Sequence, residues 1–216
     1  VILRVFYVAF GGISADWFLL FGILAAISMT LGNVVAIAQG NIKRMLGYST
    51  IAQAGYIMVG LAAIAPQGTR LGPEGTLVYL TAYAFTNLGA FFAIIAITNK
   101  VGSDQIDDFA GMSKRAPVLA LALAFCLVSL TGIPPTAGFW AKVYIFNAAV
   151  QSDLVWLALV GVVNSVVSAY YYLRVIKVMY LVPPASEERV PSSMAMRLAI
   201  LVTAGGVLLF GVLPQF

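Results

Sequence analysis

Apolar residues run along this chain in long blocks separated by short polar stretches, and the blocks have the length of membrane-crossing helices. A straight helix needs about 20 apolar residues to cross a bilayer. Six blocks approach or exceed that length: Asp16 to Ala38, Met45 to Ala65, Thr76 to Asn99, Ala116 to Val150, Leu154 to about Leu181, and Ala195 to Leu213. An earlier stretch, Val1 to Phe10, is about half a span. No small-residue cleavage site follows a positively charged start, so it reads as the tail of a preceding helix rather than a signal peptide. Val1 is not a start residue, and the chain is expected to be the C-terminal part of a longer protein. The pattern predicts an all-α, polytopic transmembrane helix bundle. One block is too long for a single span: Ala116 to Val150 covers about 35 residues and contains Pro134-Pro135, so it reads as two half-helices or one strongly tilted element.

The basic residues sort by block. Lys43 and Arg44 follow the first; Lys100, Lys114 and Arg115 flank the loop after the third; Arg174, Lys177, Arg189 and Arg197 surround the loop after the fifth. That puts these nine on one side, with Arg70 and Arg4 opposite. The positive-inside rule makes the nine-residue side cytoplasmic and places Phe216 outside, in a bacterial inner membrane.

Composition narrows the function classes. The chain is 62% hydrophobic and 9% charged, where a soluble domain carries about 25% charged residues. The net charge of +4 sits at block ends, as topology requires, so it does not argue for nucleic acid. Histidine is absent and Cys126, in an apolar run, is the single cysteine, so no ordinary metal, haem or cluster site is expected in this chain.

Lys142 is the one charged residue within an apolar block rather than at its end, eight positions after Pro134. A charge at the bilayer centre costs about 2.5–3.5 kcal/mol on insertion scales, and a proline-broken helix is tolerated in lipid only where protein or a water-filled cavity serves the freed backbone groups. Cost and break coincide, which points to an ion path. A lysine in apolar surroundings gives up its proton more readily than a hydrated one, which is what a proton relay needs. All eight acidic residues lie outside the blocks or at their ends, so Lys142 is expected to be neutral, hydrated, or paired with something beyond these blocks. The plainer reading is a lysine reaching to the interface beside a packing kink.

Polar stripes accompany it. The second block carries Ser49, Gln53 and Tyr56 at helical spacing, the third Tyr79, Tyr83, Thr86 and Asn87, and the fifth Asn164, Ser168, Tyr171 and Tyr172. Asn147 follows Lys142 by about one turn. Each stripe alone fits interhelical hydrogen bonding; together they favour a hydrated polar axis linking Lys142 to a surface. Gly132, Pro134 and Pro135 form the helix break.

Three stretches also resemble a known family. Asn41-Ile42-Lys43-Arg44-Met45-Leu46-Gly47-Tyr48-Ser49-Thr50-Ile51-Ala52-Gln53-Ala54-Gly55-Tyr56 and the Gly132-Ile133-Pro134-Pro135 to Lys142 break are similar to motifs of the antiporter-like membrane subunits of respiratory complex I. Asn164 to Arg174 resembles the subunit N (subunit 2) branch of NADH-quinone oxidoreductase. The resemblance implies an inverted-repeat fold of which this chain holds one five-helix repeat (16–182), a final helix (195–213) and the tail of the helix before (1–10). It implies that Lys142 is the proton-relay lysine of the second repeat, with its ionisable partners upstream. Where many relatives have histidine, Gln53 cannot titrate. The implied function is proton translocation as a non-redox subunit of an NADH:quinone oxidoreductase. NADH, FMN, iron–sulfur clusters and quinone would belong to other subunits, and the partners would be the other membrane subunits of complex I, the lipid bilayer, protons and water. The alternatives are a Mrp-type cation/proton antiporter subunit and a structural scaffold without an ion path.

Overall fold

The computed structural model describes residues 5, 14–63, 70–184, 188–191 and 193–213, the side chains of 14–17 excepted. The helix tail expected at 1–10 lies outside them apart from Val5, as do Arg4 and Phe216. The described residues form helices α1 (Ser14–Ile37), α2 (Ile42–Ala62), α3 (Leu71–Val101), α4 (Met112–Arg115), α5 (Pro117–Thr131), α6 (Ala137–Gln151), α7 (Val155–Leu181) and α8 (Met194–Val212), with a 3₁₀ turn at Ile106–Phe109. Four of them, α1 over Phe18–Ile37, α3, α7 and α8, are long and apolar enough to cross a bilayer. The long fourth block is two helices of 15 residues each, both shorter than a full crossing of about 20.

Local chemistry moves the boundaries. α2 begins at Ile42, before the expected Met45, because the Asn41 side chain caps it by accepting from the Arg44 N–H at 3.0 Å. Lys43 and Arg44 therefore stand in the first turn of the helix. α3 begins at Leu71, before the expected Thr76, with Pro73 in its first turn, where proline costs no hydrogen bond, and Glu74 favoured by the helix dipole. The loop after α3, left unstructured by the pattern alone, folds into the 3₁₀ turn and α4.

The loops group on two faces. The Ile42 N–H donates to the Asp104 carbonyl at 2.9 Å and the Ile106 N–H to the Gly40 carbonyl at 2.8 Å, joining the loops after α1 and α3. Lys43 pairs with Asp104 at 2.7 Å across the same junction; both are part-exposed, so the pair contributes about 0–1 kcal/mol. The Val190 N–H donates to the Arg115 carbonyl at 3.1 Å, and Lys100 pairs with Glu188 at 2.8 Å, bringing the segment after α7 to that face. Opposite, Ser152 Oγ donates to the Ala63 carbonyl at 2.9 Å, joining the ends of α2 and α6. The basic loops thus share one face, as the alternation requires.

α1 and α2 make the most extensive helix pair, and Gly32 and Gly55 let their backbones meet closely. Two apolar cores fill the bundle. One, toward the basic face, includes Ile42, Met45, Ile94, Phe109, Leu123 and Val175. The other, toward the opposite face, includes Met29, Val59, Ile145, Leu157 and Val207. The broken helix bridges the two, with Leu130 in the first core and Ala137 and Ala141 in the second.

Candidate functional site

In an α-helix the carbonyl of residue i accepts from the N–H of residue i+4. Four residues beyond Leu130 and Thr131 stand Pro134 and Pro135, which have no N–H. α5 accordingly ends at Thr131. Gly132 turns out of the helix at a φ of 90°, which glycine adopts at low cost. The N–H groups of Gly132 and Ile133 fold back on the Val128 carbonyl at 3.2 and 3.3 Å. The carbonyls of Leu130 and Thr131 are left without intrahelical donors.

Lys142, on the second turn of α6, serves both. Its Nζ donates to the Thr131 carbonyl at 2.8 Å and the Leu130 carbonyl at 3.2 Å. The same nitrogen lies 4.8 Å from the centre of the Tyr56 ring. Two carbonyls at a helix C-terminus and an aromatic face are all favourable surroundings for a cation. Lys142 is 5% exposed, and no carboxylate pairs with it among the described residues. The sequence leaves Lys142 neutral, hydrated or paired beyond these blocks; its partners are backbone atoms of its own broken helix.

The break is held closed from three directions. A Cβ at position 138 would lie 1.9 Å from the Ser129 carbonyl oxygen, so α6 can start against the end of α5 only with glycine there. The Gly138 N–H donates to Ser129 Oγ at 3.2 Å, and that hydroxyl also pairs with Thr86 Oγ1 of α3 at 3.2 Å. On the other side, Trp140 Nε1 donates to the Gly211 carbonyl of α8 at 2.9 Å.

Polar groups continue from the lysine. The Tyr56 ring stacks on Tyr79 with centres 6.1 Å apart, and the Tyr79 hydroxyl donates to Gln53 Oε1. Gln53 Nε2 donates to the Tyr172 hydroxyl at 3.4 Å, which also pairs with Ser49 Oγ. Gln53 thereby joins α2, α3 and α7. A second branch runs through α1 and α7. The Tyr171 hydroxyl donates to Asn33 Oδ1 at 2.8 Å, and Asn33 Nδ2 donates to the side-chain and backbone oxygens of Asn164, both at 3.1 Å. The rings of Tyr171 and Tyr172 stand 4.4 Å apart and bring the branches together. Between Lys142 and Gln53 lies a small cleft bounded by Tyr79, Tyr83, Thr86 and Ser129, with room for about one water molecule. Among the described residues, Thr98 Oγ1 is the one buried side-chain polar atom without a partner.

Ser49, Gln53, Tyr56, Thr86, Asn164, Ser168 and Tyr171 are all buried. Ser168 bonds within its own helix, to the Ser165 carbonyl at 2.7 Å. Tyr83 is half-buried and donates to Thr50 Oγ1 at 3.0 Å. Asn87 is half-buried and makes no side-chain hydrogen bond among the described residues. Pro134 and Pro135 are exposed at the break. Asn147 does not join the axis. It is exposed, because five positions past Lys142 is about 140° around a helix of 3.6 residues per turn. Asn33, fully buried, was not in any stripe, yet a lone amide inside an apolar block was a signal that it needs a partner. Ser129 was missed likewise.

The family described as "NADH:quinone oxidoreductase/Mrp antiporter, TM" matches residues 1–168. The chain is 50% identical to NADH-quinone oxidoreductase subunit N of Dehalococcoides mccartyi over 99% of its own length and 45% of that protein's. It is similar, at 29% identity and a TM-score of 0.84, to a chain of the membrane-bound sulfane sulfur reductase, an archaeal respiratory membrane complex, covering 93% of this chain and 40% of that one. It is similar, at 29% identity and a TM-score of 0.73, to a chain of respiratory complex I from Thermus thermophilus, covering 91% and 44%. The chain thus spans less than half the length of these relatives.

Proposed function

The chain belongs to the NADH:quinone oxidoreductase/Mrp antiporter membrane family, and on that footing we propose that it is part of a proton-translocating subunit N of an NADH-quinone oxidoreductase. Residues 16–182 would be one five-helix repeat of that subunit and 195–213 its final helix. The basic loops would face the cytoplasm of a bacterium. The other membrane subunits would surround it, and NADH, FMN, iron–sulfur clusters and quinone would reside in the rest of the enzyme.

The observation that carries this reading is Lys142 on the two carbonyls freed by Pro134 and Pro135. The two carbonyls hold the amino group against the water-sized cleft, where a proton can be bound and passed on. The water-sized cleft connects Lys142 to Gln53 and Tyr79; from there the hydroxyls of Tyr172 and Ser49 continue toward the basic face. Gln53 carries no proton of its own to give, so it acts by orienting water and the two tyrosine hydroxyls. Lys142 would take its proton from this axis and release it toward the opposite face, driven by redox chemistry in other subunits.

The test is Lys142→Ala in the intact enzyme complex, with proton pumping and NADH-driven electron transfer measured together. The expected result is a loss of pumping in an assembled enzyme. Undiminished pumping would sink the proposal.

A further inference from the structure

A second site stands on the basic face, away from Lys142. Lys114, Arg115, Arg189 and Arg197 surround one open pocket of about 440 Å³, lined also by Pro117, Val118 and Leu119 at the start of α5. The pocket is built, not a chance gathering of surface charges. The segment 188–191 is strapped to the junction of α4 and α5 by two hydrogen bonds. The Val190 N–H donates to the Arg115 carbonyl at 3.1 Å, and Arg115 Nε donates to the Glu188 carbonyl at 3.0 Å. Val190, 5% exposed, anchors the strap in the apolar core. Arg189 is thereby fixed beside the pocket next to Lys114, Arg115 and Arg197 of α8.

The position says what kind of anion fits. The pocket opens at the first turns of α5 and α8, where both helices leave the basic face and enter the apolar layer. About one turn deeper, Leu121 is 65% exposed and Leu201 69% exposed, surfaces suited to hydrocarbon chains. Cations above an apolar wall match an amphiphile with a negative head and two apolar tails. Guanidinium groups bind phosphate oxygens through paired N–H donors, and basic pockets between helices at a membrane face recognise anionic headgroups. We propose that this pocket binds the phosphate headgroup of an anionic phospholipid, with the acyl chains lying against α5 and α8. The assignment does not rest on proton translocation by Lys142.

The experiment uses the intact complex, exchanged into bilayers of mixed phosphatidylglycerol and phosphatidylcholine and then analysed by native mass spectrometry for retained lipid. Lys114→Gln and Arg189→Gln, made singly and together, remove charge without touching the two strap hydrogen bonds. The expected result is selective retention of phosphatidylglycerol by the wild type, weakened about fivefold for each cation removed. Equal retention by wild type and variants would overturn the assignment, as would equal retention of the two lipids. Inorganic phosphate bound in place of lipid would overturn the lipid in favour of a soluble anion. If the double variant does not assemble, Arg189→Gln alone decides on the same readout.

Discussion

At Gln53 one side chain serves two tyrosines, as acceptor for Tyr79 and donor to Tyr172. Gln53→Leu would keep its bulk and remove both roles. The expected outcome is an assembled enzyme with slowed proton translocation, read from proton uptake in sealed vesicles; unchanged uptake would remove Gln53 from the path. Asn33→Leu removes the donor to the two Asn164 oxygens and the acceptor of the Tyr171 hydroxyl, and is expected to lower stability by about 1 kcal/mol, measured as a drop in melting temperature. Lys142 and Pro134-Pro135 were legible in the sequence because a charge in an apolar block and a missing N–H are local facts. The carbonyl partners were legible too, by counting four residues back from each proline, but an inventory of side chains does not look at backbone atoms. Asn33 escaped because it stands alone on α1, and Asn147 misled because nearness in sequence to Lys142 is not nearness on the helix face.

The break between α5 and α6 works as an element, and it can be tested as one. Replacing both Pro134 and Pro135 with alanine restores two N–H donors within reach of the Leu130 and Thr131 carbonyls. α5 is then expected to extend and compete with Lys142 for those oxygens, reducing proton translocation while helix content by circular dichroism stays level or rises. Gly138→Ala is predicted to fail differently. Its Cβ would meet the Ser129 carbonyl at 1.9 Å, so the two helix ends must separate, and assembly and thermal stability should both fall. Wild-type melting behaviour would show that the junction yields more easily than its packing implies. Of the six blocks, the first, third, fifth and sixth return as helices long and apolar enough to cross, while α2, with its polar Ser49, Gln53 and Tyr56, is not among them and the fourth is split in two. The block ends were not legible, because Asn41 capping α2 and Pro73 in the first turn of α3 are decided by a few polar atoms rather than by hydropathy.

Across the whole molecule, the hydrogen bonds and ion pairs between loops separate a basic face from its opposite. Positive-inside orientation then makes a prediction about access. Asp107 and Arg70 are both exposed, on opposite faces, and the native Cys126 is 1% exposed and shielded. A membrane-impermeant maleimide applied to intact cells is expected to label Arg70→Cys and spare Asp107→Cys, with the pattern reversed in inside-out vesicles. The opposite labelling would invert the proposed direction of proton flow. The convergence of the stripes from α2, α3 and α7 on Gln53 was beyond the sequence alone, because it depends on how three helices rotate against one another.

On this reading the proton on Lys142 comes and goes. Arginine carries a positive charge near the same place but does not release its proton in a protein, so Lys142→Arg separates charge from exchange. The decisive measurement is the rate of proton translocation by the intact complex bearing this variant, reconstituted in sealed vesicles and compared with wild type at equal enzyme content. A drop of about tenfold or more is predicted, as for loss of a proton-transferring group. Translocation at the wild-type rate would show that a fixed charge suffices and would contradict the account.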